Sequence, residues 1–176
     1  MKEIDDEKKE EKKKSSALNI NDDFDFNFAR KIPKVLRWIL VIPIGILGIL
    51  MIHLAYGFIV SMFLKNFSET SVVVTIVNAL FSFVKFYFFL IAMVAMAPVA
   101  KANKFKAGVG LSIVPLAIGG GFIYLTQHFS SDEIYYAPVM LILQVVIIVA
   151  AVVVGLLSIK KDIDKDKEPI EEQKNS

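Results

Sequence analysis

The sequence predicts an all-α integral membrane protein, a four-helix transmembrane bundle running up-down-up-down with both termini in the cytoplasm. Three observations carry this. Of 176 residues, 55% are hydrophobic, and the mean hydropathy is +0.57. The charged residues gather at the two ends and in short gaps, leaving four long apolar stretches between them. Finally, 18 of the 20 Lys and Arg fall in the two tails and in one connection. A soluble domain of this length would spread its apolar residues among polar ones. A disordered chain would lack them.

The first 34 residues read as a disordered and juxtamembrane tail. Met1–Ala17 mixes Lys, Glu and Asp, with Glu10, Glu11 and Lys12 to Lys14 in runs, and has too few apolar groups to fold alone. Phe24, Phe26 and Phe28 then alternate with Asp23, Asp25 and Asn27, ahead of Arg30, Lys31, Lys34 and Arg37. One reading is a docking motif or a segment that meets anionic lipid. The plainer reading, which we favour, is juxtamembrane anchoring with the usual inner positive charge. Arginine occurs only at Arg30 and Arg37, against 18 Lys, which reads as coding bias. No cleavable leader is expected, because the first apolar run starts late and is too long.

Residues 35–159 form the membrane domain. About 20 apolar residues cross the roughly 30 Å of hydrocarbon. Spans are expected at about 38–64, 71–100, 107–126 and 136–158. Backbone groups in lipid must be bonded internally, so each is a helix, even through the β-branched run Val145 to Val149. The third span is the weakest. It carries Gly108, Gly110, Pro115 and Gly119 to Gly121, so a kink near Pro115 is expected, with a re-entrant segment as the alternative. Ser130 and Glu133 stand at capping-box spacing before the fourth span. Residues 160–176 form a second disordered tail. Asp162, Asp164 and Asp166 alternate there, but no Gly or closing Glu completes a calcium loop.

Charge sets the orientation. The N-terminal tail through Arg37, the gap with Lys101, Lys104 and Lys106, and the C-terminal tail from Lys160 should face the cytoplasm. The connections 65–70 and 127–135 should face outward. Trp38 marks the inner edge, and Phe67, Tyr124, Phe129, Tyr135 and Tyr136 the outer one. Short links favour antiparallel neighbours. The expected location is the plasma membrane of a bacterium.

Span two holds the informative pattern. Ser71, Thr75, Asn78, Ser82 and Lys85 follow steps of 4, 3, 4 and 3. At 100° per residue they share an arc of about 80°. Such a stripe must look at other helices or at water. Lys85 is the one charge well inside a span, and no Asp or Glu lies at its depth. His53 in span one and Gln144 in span four are its expected neighbours. One reading is a polar cavity opening outward, with Lys85 at its floor. The commoner fates of such residues are a snorkelling lysine and interhelical hydrogen bonds. Small-residue pairs at Gly45 and Gly48, Ala117 and Gly121, and Ala151 and Gly155 suggest close helix contacts.

Chemistry is otherwise sparse. With no cysteine, there is no disulfide, thiolate nucleophile or Cys-based metal site. Two histidines without nearby acids do not make a metal centre. HExxH, GxSxG and P-loop patterns are missing, and Gly119 to Gly121 lack a βαβ setting. Asn66-Phe67-Ser68 matches a glycosylation acceptor, relevant only in a eukaryotic secretory pathway. A net charge of +2 gives no field for nucleic acid. The expectation is a membrane protein without cofactor or catalytic residues, acting as an accessory or scaffold-like interaction subunit. Its contacts are the bilayer and, through the charged tails, proteins or a second copy. The alternative is a small transporter or channel-like protein built on the stripe ending at Lys85.

Overall fold

The computed structural model describes residues 20–60, 62, 72–129 and 138–164. Among these there are no β-strands. The helices are α1 (Lys34–Ile59), α2 (Val72–Met96), α3 (Lys104–Leu111), α4 (Ile113–Phe129) and α5 (Pro138–Asp164). Short 3-10 turns occupy Asn27–Lys31 and Lys101–Asn103. Four helical stretches are long and apolar enough to cross a membrane: Lys34–Ile59, Val73–Met96, Lys101–Leu125 and Leu141–Asp164.

The third of these is α3 and α4 joined at Ser112, three residues before Pro115. Proline lacks the N–H that would reach back to the carbonyl of Leu111, so the ladder breaks on its N-terminal side. Ser112 bridges the break. Its N–H donates to the Gly108 carbonyl at 2.9 Å, and its Oγ donates to the Val109 carbonyl at 2.6 Å. The kink expected near Pro115 is therefore present. Gly108 lies against Leu156 and Ile159, whereas Gly119 lies against Ile148. The contacts thus run antiparallel along α5.

Helix α2 is the centre of the arrangement. It packs on α1 along one side and on α5 along another, and α4 packs on α5. Small residues set the close approaches. A Cβ at Gly45 would overlap the Phe89 ring and stand 2.9 Å from Met93 Cγ. One at Gly155 would meet Leu90 Cδ2 at 3.1 Å. Gly48 and Gly121 face open space and Ala117 is exposed, so of those two small-residue pairs only Gly45 sits where its spacing suggested.

Burial is uneven along the helices. The core contains Val41 of α1, Phe89 to Ile91 and Met93 to Met96 at the end of α2 with Ala97 just past it, and Val152 and Ile159 of α5. In α1 the buried residues are Arg37, Val41 and Gly45, all in its first half. Among the described side chains of α2, none before Phe89 is buried. The half of the molecule near Arg37 and Lys104 is closely packed, and the opposite half of the α1–α2 pair is open.

Candidate functional site

Two polar groupings mark the two ends of the α1–α2 pair. The sequence pointed to the first. Tyr56 on α1 donates its hydroxyl to Asn78 Oδ1 on α2. Two turns along α2 towards the packed end, Lys85 Nζ stands 3.4 Å from His53 Nδ1. A lysine ammonium only donates, so Nδ1 is the acceptor in this contact whenever Lys85 is charged. Lys85 Nζ also lies 5.4 Å from the centre of the Tyr56 ring, within cation–π range. The Tyr56 ring tilts against Phe81 at 4.8 Å, fixing its position. Helical spacing explains the grouping. His53 and Tyr56 are three apart on α1, and Asn78 and Lys85 are seven apart on α2, so each pair shares a face.

His53 and Asn78 are exposed, whereas Tyr56 and Lys85 are half-buried. Among the described residues the principal contacts of α1 are with α2. The expected pairing of Lys85 with His53 is therefore present. The one with Gln144 is not, because Gln144 sits on α5 and makes no hydrogen bond to Lys85. Thr75 and Ser82 lie on α2 in register with Asn78 and Lys85. Ser71 lies outside the described residues, as do the Ser130–Glu133 cap, most of both outer connections and the tail beyond Asp164.

The second grouping, at the packed end, was not anticipated. Residues 20–32, read from the sequence as part of a juxtamembrane tail, pack against the end of α2. The Asn21 side chain starts the fold. Its Oδ1 accepts the N–H groups of Asp23 at 2.9 Å and Asp25 at 3.0 Å, an Asx turn. Phe24 sits at φ 58°, in the left-handed region, and its side chain is buried in the core. That costs about 1–2 kcal/mol for a non-glycine residue, offset here by burial of the ring. The turn aims Asp25 inward. Asp25 Oδ1 accepts from Arg37 at 2.7 Å and from Lys104 Nζ at 2.5 Å.

Both cations also cap α2. A helix leaves its last four carbonyls without intrahelical partners. Here each is met. Met93 takes the Ala97 N–H at 3.0 Å, and Val94 takes Lys104 Nζ at 2.9 Å. Ala95 takes the Phe26 N–H at 3.4 Å, and Met96 takes Arg37 Nε at 3.0 Å. The carbonyl of Ala97, just past the helix, takes Lys104 at 2.7 Å and Arg37 at 3.3 Å. Pro98 then prevents the helix from continuing. Two cations face one carboxylate, and the negative end of the α2 dipole offsets the surplus charge. Arg30 pairs with exposed Asp23 at 2.5 Å. Both arginines of the chain thus bind aspartates of one short motif, so they are more than coding bias. The alternation of Phe and Asp ahead of the first span was the available signal. The reach to Lys104, 79 residues away, was not visible in it.

No three His, Asp or Glu converge as a metal ligand set among the described residues. Comparison with protein-family models, with curated proteins and with solved structures finds no match. The fold defines the chain as an all-helical protein with four helices able to cross a bilayer.

Proposed function

We infer that this is a non-enzymatic, multi-pass membrane protein that serves as an interaction subunit, docking another membrane protein or a second copy on the open half of α1 and α2. The observation that carries this is the polar face of exposed His53 and Asn78 with half-buried Tyr56 and Lys85, on helices with no buried residue at that level among the described residues. Polar and ionisable groups within a bilayer face protein or water, because lipid leaves them unsatisfied. The helices run up-down-up-down, with both termini in the cytoplasm of a bacterial plasma membrane. The charged tails at 1–17 and 161–176 add surface for soluble partners. Lipid itself covers the remaining apolar faces.

The chain has no cysteine, so a single one placed at position 53 or 78 is a clean probe. Oxidation in native membranes reports a second copy as a disulfide dimer. A photoreactive maleimide at the same position reports any other protein. A protein adduct from 53 and 78, and not from a control at Val154 on α5, is expected. The absence of an adduct at both positions overturns the reading. A solute or proton flux in vesicles that disappears in Lys85→Leu at normal folded yield would replace it with the transporter reading.

A further inference from the structure

A cleft of about 570 Å³ lies at the inner end, between the folded-back arm, α2 and α5. Its walls change character with depth. Tyr87, Phe88 and Ile91 of α2 line the deeper part, beside Ser158 of α5. Asn21, Asp22, Lys101 and Asp162 line the part beside the last turns of α2 and α5. Tyr87 is nine residues before the end of α2, about 14 Å along the axis at 1.5 Å per residue. The cleft thus passes from aromatic and aliphatic groups to charged ones over the depth at which a bilayer leaflet passes from chain to headgroup. Midway, the Tyr87 hydroxyl donates to Ser158 Oγ at 3.3 Å. Beside the charged groups, Asn21 Nδ2 is a buried donor with no hydrogen-bond acceptor among the described residues. Its own Oδ1 is committed to the Asx turn, so the amide cannot flip to relieve it.

The geometry points to a lipid-binding site for a single phospholipid whose headgroup carries a primary ammonium, the phosphoethanolamine class. The two carboxylates, Asp22 and Asp162, accept from the ammonium. Lys101 donates to phosphate and ester oxygens. One acyl chain lies along Phe88 and Ile91. Phosphocholine lacks the N–H donors that carboxylates bind, and phosphoglycerol lacks the cation. A cleft of this volume falls in the usual range for small-molecule sites. The site rests on the membrane reading, and it is independent of any partner at the outer face.

The test uses the full chain purified in detergent and exchanged into micelles with equal amounts of phosphatidylethanolamine, phosphatidylcholine and phosphatidylglycerol of identical chains. Native mass spectrometry reads the bound lipid. Phosphatidylethanolamine should be retained about tenfold over the other two, the factor that one charged hydrogen bond provides. Asp22→Asn with Asp162→Asn should abolish the preference while leaving the melting temperature in lipid-free detergent unchanged. Lys101→Met should weaken all three lipids together. If the double variant fails to fold, the single variants carry the same comparison. Equal retention of the three headgroups by the wild type overturns the site, as does a preference that survives loss of the carboxylates.

Discussion

Lys104 Nζ and Asp25 Oδ1 meet at 2.5 Å across 79 residues of chain, and the lysine side chain is fully buried. This contact ties the segment before the first span to the connection after the second. Arg37 joins from α1, so three separate stretches close on the last turn of α2. The polar groups of that turn are thereby satisfied without water. That is what permits the adjoining stretch from Phe89 to Ala97 to be the best buried of the protein.

Asp25→Ala should therefore be severely destabilising. It strands two buried cations, Arg37 and Lys104, without their carboxylate. Removing one partner of a buried ion pair costs about 3–5 kcal/mol. Unfolding in mixed micelles at rising SDS fraction measures it. Asp23→Ala breaks only the exposed pair with Arg30 and should cost no more than about 1 kcal/mol. Equal losses in the two variants would show that Asp25 is no more than a surface group.

Lys104→Met placed on Asp25→Ala should recover part of the loss. The uncompensated charge leaves and a flexible apolar chain fills its volume. The recovery is incomplete, because the Val94 and Ala97 carbonyls lose their donor. A double variant less stable than Asp25→Ala alone would show that the carbonyl caps outweigh the charge balance.

The contrast between the two polar groupings explains what the sequence could show. Thr75, Asn78, Ser82 and Lys85 are a local pattern, and helical periodicity alone places them on one face. His53 followed from depth counting along antiparallel helices. Gln144 did not pair, because depth fixes height but not which helices are neighbours, and α5 packs on another side of α2. Asp25, Arg37 and Lys104 each look like ordinary juxtamembrane charge. Their meeting depends on an Asx turn and a left-handed Phe24, neither of which has a periodic signature. The Pro115 kink was legible because its cause is covalent.

Gly45→Ala should destabilise by about 1–3 kcal/mol, the usual cost of overpacking a filled contact. The added methyl runs into the Phe89 ring and Met93, and Phe89 is fully buried and has nowhere to go. Gly48→Ala, one turn on, meets nothing and should be neutral or stabilising by up to about 1 kcal/mol. Micelle unfolding of the two variants side by side checks the sign of each. A matching effect at both positions would mean that the α1–α2 approach is not set at Gly45.

Tyr56→Phe and Asn78→Leu should show coupling. The two side chains share a hydrogen bond between α1 and α2. Interhelical hydrogen bonds in membranes average about 0.6 kcal/mol and reach about 1.7. The double variant should therefore fall short of the sum of the single losses by about that amount. Strict additivity would place the partner of Asn78 elsewhere.

The final prediction concerns the sides of the membrane. Helix contacts alternate in direction: Gly45 of α1 meets Phe89 and Met93, whereas His53 and Tyr56, further along α1, reach back to Lys85 and Asn78. Gly108 and Gly119 likewise advance against the run of α5. Four crossings bring the ends of the chain to one face, and a re-entrant third segment would separate them. The lysine-rich connections choose which face. A fluorescent protein that matures only in the cytoplasm, fused at Met1 or at Ser176, should be bright in both fusions. A phosphatase active only outside should be silent in both. Opposite behaviour at the two ends would require an odd number of crossings. The Asp25–Lys104 contact, with two helices between its partners, places the lost crossing after Lys104 in that case, since residues on opposite sides of a bilayer cannot share an ion pair.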